Sequence, residues 1–125
     1  INDFSPDDVK EAKEITYLLK ENLGTPQENF NNYVDYSPFN YISEEGGNAA
    51  DLRTIPVRAY FDQDVKWWIE NRRKDYYSMN SIDMAGLINQ LKLLENENAE
   101  LINYEDSDKT IDYAELMDWF LSIKD

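Results

Sequence analysis

One stretch, Thr54–Ile69 (TIPVRAYFDQDVKWWI), constrains the fold more than any other. Val57, Ala59 and Phe61 alternate between Pro56 and the polar run Asp62-Gln63-Asp64, and aromatic and β-branched residues held between such breakers read as a strand. The carboxylates then fall at its carboxyl end. In open α/β sheets that end forms a crevice between strand tips and helix starts, and ligands and catalytic groups sit there.

The rest of the chain reads as wrapping around this strand. Ser5-Pro6-Asp7-Asp8 is a helix start, and Val9, Ala12, Ile15 and Leu19 give an amphipathic, surface-lying helix that Gly24 is placed to end. Thr25-Pro26-Gln27-Glu28 repeats the start signal as a capping box and predicts a short helix to about Tyr33. Ser37-Pro38 forces extended backbone. Glu44-Glu45-Gly46-Gly47-Asn48 reads as an exposed flexible loop. A helix from Asn80 or Ser81 to about Leu94 carries Met84, Leu87, Ile88, Leu91 and Leu94 on one stripe, and Ala99–Tyr104 reads as a second strand. Strand, helix and strand in that order predict parallel pairing through a crossover. Glu105–Lys109 is a polar loop, and a last helix from about Thr110 should turn Ile111, Ala114, Met117 and Leu121 inward, with Trp119 and Phe120 widening the apolar face.

The expected fold class is therefore α/β: a partial doubly wound parallel sheet of about two strands flanked by four to five helices. Residues 1–53 form a helical connecting segment and residues 54–125 the strand-helix-strand-helix core. At 125 residues the chain can hold one modest core.

Composition removes whole classes of function. With 26 acidic against 12 basic residues, a net charge of -14 repels phosphate backbones and anionic headgroups, so nucleic acid and membrane surfaces are not expected partners. No apolar run reaches the length of a membrane span, and Ile1-Asn2-Asp3 does not open a secretory signal. A start at Ile1 without Met reads as a cut or processed end. The compartment stays open, with the cytoplasm favoured. Zero Cys and zero His exclude a thiolate nucleophile, a Cys- or His-based zinc site and a self-contained Ser-His-Asp triad, and no cofactor is expected.

Other candidate groups are aromatic or acidic. Trp67 and Trp68, with Tyr76 and Tyr77, suggest a stacking platform for substrate, and Tyr36 lies in the aromatic-dense run from Phe30 to Ile42. Adjacent aromatics on a helix face different sides, so at least one Trp is expected in the core. Lys66, Arg72, Arg73 and Lys74 read as a solvated helix face. Asp106, Asp108 and Asp112 mimic part of a calcium loop, but Ile111 and Met117 stand where the turn and closing ligand would be, so no metal site is assigned.

Across most of its length the chain resembles the carboxyl-terminal half of an α/β-hydrolase of the esterase or serine-peptidase-like kind. The residues that carry this are Gly24-Thr25-Pro26-Gln27-Glu28, Tyr36-Ser37-Pro38, Ile55-Pro56-Val57 leading into an acidic turn, Leu91-Lys92-Leu93-Leu94, Ala99-Glu100-Leu101-Ile102 and Leu116-Met117-Asp118-Trp119-Phe120. The resemblance implies that Asp64 is the triad acid, with Asp62 in its place if the turn is shifted, and that the substrate is a small-molecule ester. The family's Gly-x-Ser-x-Gly elbow is absent, and Glu105-Asp106-Ser107-Asp108-Lys109 stands where its histidine would be. The expected partner is accordingly the Ser- and His-bearing half, as further polypeptide or a second protein, with a homodimer as the other arrangement. A catalytically inactive acidic interaction module is the alternative function.

Overall fold

The computed structural model describes residues 10–62, 64–73, 81–104 and 111–123. Within them lie five α-helices, α1 (Lys10–Leu23), α2 (Phe30–Tyr36), α3 (Val65–Arg72), α4 (Ser81–Leu93) and α5 (Tyr113–Ser122), a 3-10 segment Glu44–Leu52, and two strands, β1 (Val57–Asp62) and β2 (Ala99–Tyr104). The fold is α/β, and the strands pair in parallel and in register from Val57 with Ala99 to Asp62 with Tyr104. Both strands and the stripe of α4 fall where the sequence places them.

Alternation along the strands gives the sheet two unlike faces. Val57 and Ala59 with Ala99 and Leu101 form the apolar one, and α4 covers it with Ile88 and Leu91, which are 1% and 0% exposed. Ala49 from the 3-10 segment completes this core at 0%. The opposite face carries Arg58, Tyr60, Glu100 and Tyr104, and α5 reaches it through side chains.

The termination of α4 sets up the register. Glu95 takes a left-handed φ of 64°, so that the Asn96 N–H reaches the Leu91 carbonyl at 2.9 Å and the Glu95 N–H reaches Lys92 at 3.1 Å. That double closure is a Schellman motif built without glycine. It delivers Asn96, 6% exposed, between the two strand entrances. Its Nδ2 donates to the carbonyls of Leu52 (3.0 Å) and Ile55 (2.8 Å), and its Oδ1 accepts from the Asn98 N–H at 2.9 Å. The ladder then begins with Val57 N–H on the Asn98 carbonyl at 3.0 Å.

Several expectations are corrected. The glycines of Glu44–Asn48 are packing devices and not a flexible loop: Gly46 is buried with φ 78°, and a Cβ there would stand 2.8 Å from Gln90 Cγ and 3.0 Å from the Phe39 ring. Only glycine lets this segment press against α4 in that conformation. Thr25–Glu28 forms a turn, with the Thr25 hydroxyl donating to Glu28 at 2.7 Å, and α2 begins at Phe30 instead and runs to Tyr36. The α5 face is rotated: Leu116, Trp119 and Ile123 are half-buried, while Ala114, Met117 and Leu121 point outward. Ile15 and Leu19 of the α1 stripe are 58% and 41% exposed, so these two face outward too. The start expected for α1 at Ser5, the loop 105–109 and Lys74 lie outside the described residues.

Candidate functional site at the carboxyl ends of the strands

Parallel, in-register pairing brings the carboxyl ends of β1 and β2 side by side, with Asp62 opposite Tyr104. One residue beyond the end of β1 and its neighbour Gln63, Asp64 caps α3. Its Oδ1 accepts the Trp67 N–H at 2.9 Å, and its carbonyl accepts the Trp68 N–H at 3.0 Å. A carboxylate at this position satisfies an otherwise orphaned amide and faces the positive end of the helix dipole. The same bond holds the side chain at the start of α3, two residues past the end of β1.

The cap also ties the backbone of Trp67 and Trp68 to the acid in the first turn of α3. Their rings meet edge to face at 5.2 Å, both half-buried, and the Arg72 guanidinium stands 6.0 Å from the Trp67 ring. Successive residues of a helix diverge in direction, but large indoles still touch across that divergence. Trp68 Nε1 is buried without an acceptor. Asp64, Trp67 and Trp68 thus form one group. The backbone of Asp62 joins them at the strand end.

Tyr36 lies elsewhere. It is 76% exposed and closes an apolar groove of about 390 Å³ with Ile15, Leu18, Leu19, Asn22 and Leu23 of α1. That groove is held together by Tyr33, whose hydroxyl donates to the Gly24 carbonyl at 2.6 Å, and by Asn32 on the Leu23 carbonyl at 3.0 Å. It has the volume of a ligand site, but the polar side chains of its lining are only Tyr36 and Asn22, and the Asn22 Nδ2 donates to its own helix at Leu18.

Of the calcium-like pattern, Asp112 alone is among the described residues. Asp112 caps α5, accepting from Ala114 and Glu115 N–H at 2.9 and 3.2 Å, and Asp106 and Asp108 lie outside the described residues. Among the described residues no three acids gather in a way that could hold a metal ion, and no helix is long and apolar enough to cross a membrane. Lys66, Arg72 and Arg73 are exposed, as a solvated face would be.

The sequence reading missed Arg58. Its side chain is 8% exposed and lies 2.7 Å from Glu115 of α5 and 2.9 Å from Glu100, its neighbour across the sheet. The Nε–H direction misses the Glu100 oxygen, so that second contact is an ion pair without hydrogen-bond alignment. Trp119 and Tyr60 stack on the guanidinium at 5.0 and 5.7 Å. Burial works to lower its pKa, but the hydrogen bonds to Glu115 and Tyr60 and the charges of Tyr60 and Glu100 outweigh it, and the net direction is up. The charge is permanent, and Arg58 pins α5 to the sheet. The available signal was a lone base in β1, at a position that alternation turns away from the apolar face.

Arg58→Met is expected to destabilise by only about 1–2 kcal/mol, because a hydrophobic isostere removes the desolvation penalty along with the pair. The two carboxylates left behind have side chains 40% and 49% exposed and can resolvate. Urea denaturation checks this; a loss above about 4 kcal/mol would mean that a buried charge had been orphaned.

Comparison with protein-family models, with curated proteins and with solved structures finds no match for this chain.

Proposed function

We propose that this chain is the carboxyl-terminal part of a serine hydrolase of the α/β-hydrolase type, acting on small-molecule esters, with Asp64 as its triad acid. The observation that carries the reading is the position of Asp64: an acid fixed by a helix cap just past the carboxyl end of one of two parallel strands. In a triad such an acid accepts from a histidine, sets its tautomer and stabilises the imidazolium formed when the serine is deprotonated. The nucleophile and histidine would come from further polypeptide packed against this chain. Trp67 and Trp68 would wall the acyl pocket behind the acid. Asp62 takes the role of Asp64 if the assembled turn is shifted by two residues.

The test is intact mass of the purified protein before and after a fluorophosphonate probe that labels activated serines. A heavier or companion species that gains the probe is expected. A single unlabelled species at 14.8 kDa would overturn the reading. In a labelled assembly Asp64→Asn is expected to reduce aryl-ester turnover by about 10³–10⁴-fold. Stability should stay within about 0.5 kcal/mol, since Asn caps a helix as well as Asp.

A second reading, a catalytically inactive acidic interaction module, is favoured by a specific observation. Large apolar side chains stand outward on α1 and α5, among them Leu18 at 58% and Leu121 at 74% exposure, in a chain of net charge -14. Contiguous apolar surface of this kind marks an interface.

A further inference from the structure

We propose that the outward face of α5 docks a basic amphipathic helix of a partner protein. The proposal does not rest on the hydrolase reading. Tyr113, Met117, Phe120 and Leu121 are 74%, 54%, 61% and 74% exposed. At 100° per residue they occupy one stripe about 100° wide, the width of a helix face that normally meets a partner. The opposite side of α5 is already engaged, since Glu115 and Trp119 hold Arg58. The helix is thus apolar toward the sheet and apolar away from it, and a helix of that kind belongs between two layers.

Charge decides the occupant. Every charged residue between Ile111 and Ile123 is acidic: Asp112, Glu115 and Asp118. Asp118 is exposed and lies on the helix wheel beside Leu121. A complementary ligand therefore presents apolar anchors at i, i+4 and i+7 with Lys or Arg alongside, the helix-on-groove mode of recognition. A second copy would bring the same acids against Asp118 within a field of -14 from each chain. The α1 groove makes no such selection. Its stripe has Glu14 and Glu21 on one flank and Lys13 and Lys20 on the other.

The probe is a synthetic peptide of leucine and lysine only, with leucines on one helical face, compared with a scrambled peptide of identical composition. Isothermal calorimetry should give a dissociation constant in roughly the micromolar range for the patterned peptide, and binding about tenfold weaker or worse for the scrambled one. Met117→Glu with Leu121→Glu should weaken the patterned peptide at least about tenfold while the helical circular dichroism is unchanged. Should that variant lose structure, Asp118→Lys keeps the stripe and should still weaken binding several-fold. Equal binding of both peptides would reduce the effect to adsorption on an acidic chain and overturn the proposal. A concentration-dependent mass abolished by the Met117 and Leu121 changes would also overturn it, by assigning the face to a second copy.

Discussion

Asn96→Asp is expected to be the most damaging single-atom-type change in the molecule, costing about 4 kcal/mol at neutral pH. The substitution is isosteric. It places a carboxylate oxygen where Nδ2 now donates to two carbonyls, those of Leu52 and Ile55, at 3.0 and 2.8 Å. Both carbonyls lose the amide donor, Leu52 keeping the Ile55 N–H at 3.1 Å, and a negative charge faces both of them. Asn96 itself is 6% exposed, so the new carboxylate gains little from water. Because the charged form is disfavoured, the folded-state pKa of the new Asp lies above the unfolded value of about 3.9. A group raised in this way leaves stability highest below the unfolded pKa and lowers it as pH rises through the folded pKa. Below that window the neutral carboxyl can donate to one of the two carbonyls. The gap between variant and wild type in urea denaturation should therefore narrow on going from about pH 7 to about pH 4. A variant within about 0.5 kcal/mol of wild type at neutral pH would show that the amide does not hold the strand entrances.

Asn96 also shows where a sequence stops being legible. Both strands could be placed because each is short, bounded by breakers and alternating, and the α4 stripe could be placed because its opposite face is polar. Nothing in the run Leu94-Glu95-Asn96-Glu97-Asn98 distinguishes a surface turn from a clamp across more than forty residues. The deciding partners, Leu52 and Ile55, are remote in the chain. Gly46 and Gly47 were open to the same ambiguity. Paired glycines signal either freedom or a close approach, and the neighbours that make it the latter are Phe39 and Gln90 at Gly46 and Asn40 at Gly47.

The α5 error has a different cause. Tyr113, Met117, Phe120 and Leu121 make one apolar stripe and Leu116, Trp119 and Ile123 another, so periodicity alone gives the helix no unique rotation. Arg58 breaks the tie by drawing Glu115 and Trp119 to the sheet. At the candidate site the acid's place at a strand end was legible from the breakers around it. Its grouping with Trp67 and Trp68, and the separation of Tyr36, depended on which residue caps which helix.

Leu91→Ala should have the other large effect, about 3 kcal/mol. Removing a buried leucine loses its transfer free energy and leaves a cavity whose cost depends on how far the surroundings collapse. Here they can do little. Leu91 is 0% exposed, and the fully buried apolar residues around it are Ile88, Ala49 and Ala99. The two alanines have no rotamers with which to fill the space. Val57, Ala59 and Leu101, packed against that core, are fixed on a paired sheet. A small α/β domain has about 5–15 kcal/mol of total stability, so the loss is a large share of it. Leu93→Ala is the internal control: two residues along the same helix and 78% exposed, it should change stability by less than about 0.5 kcal/mol. Urea denaturation should show the Leu91 variant with a lowered midpoint and an unchanged slope. Equal losses for the two variants would mean that the apolar face of α4 is not the core of this fold.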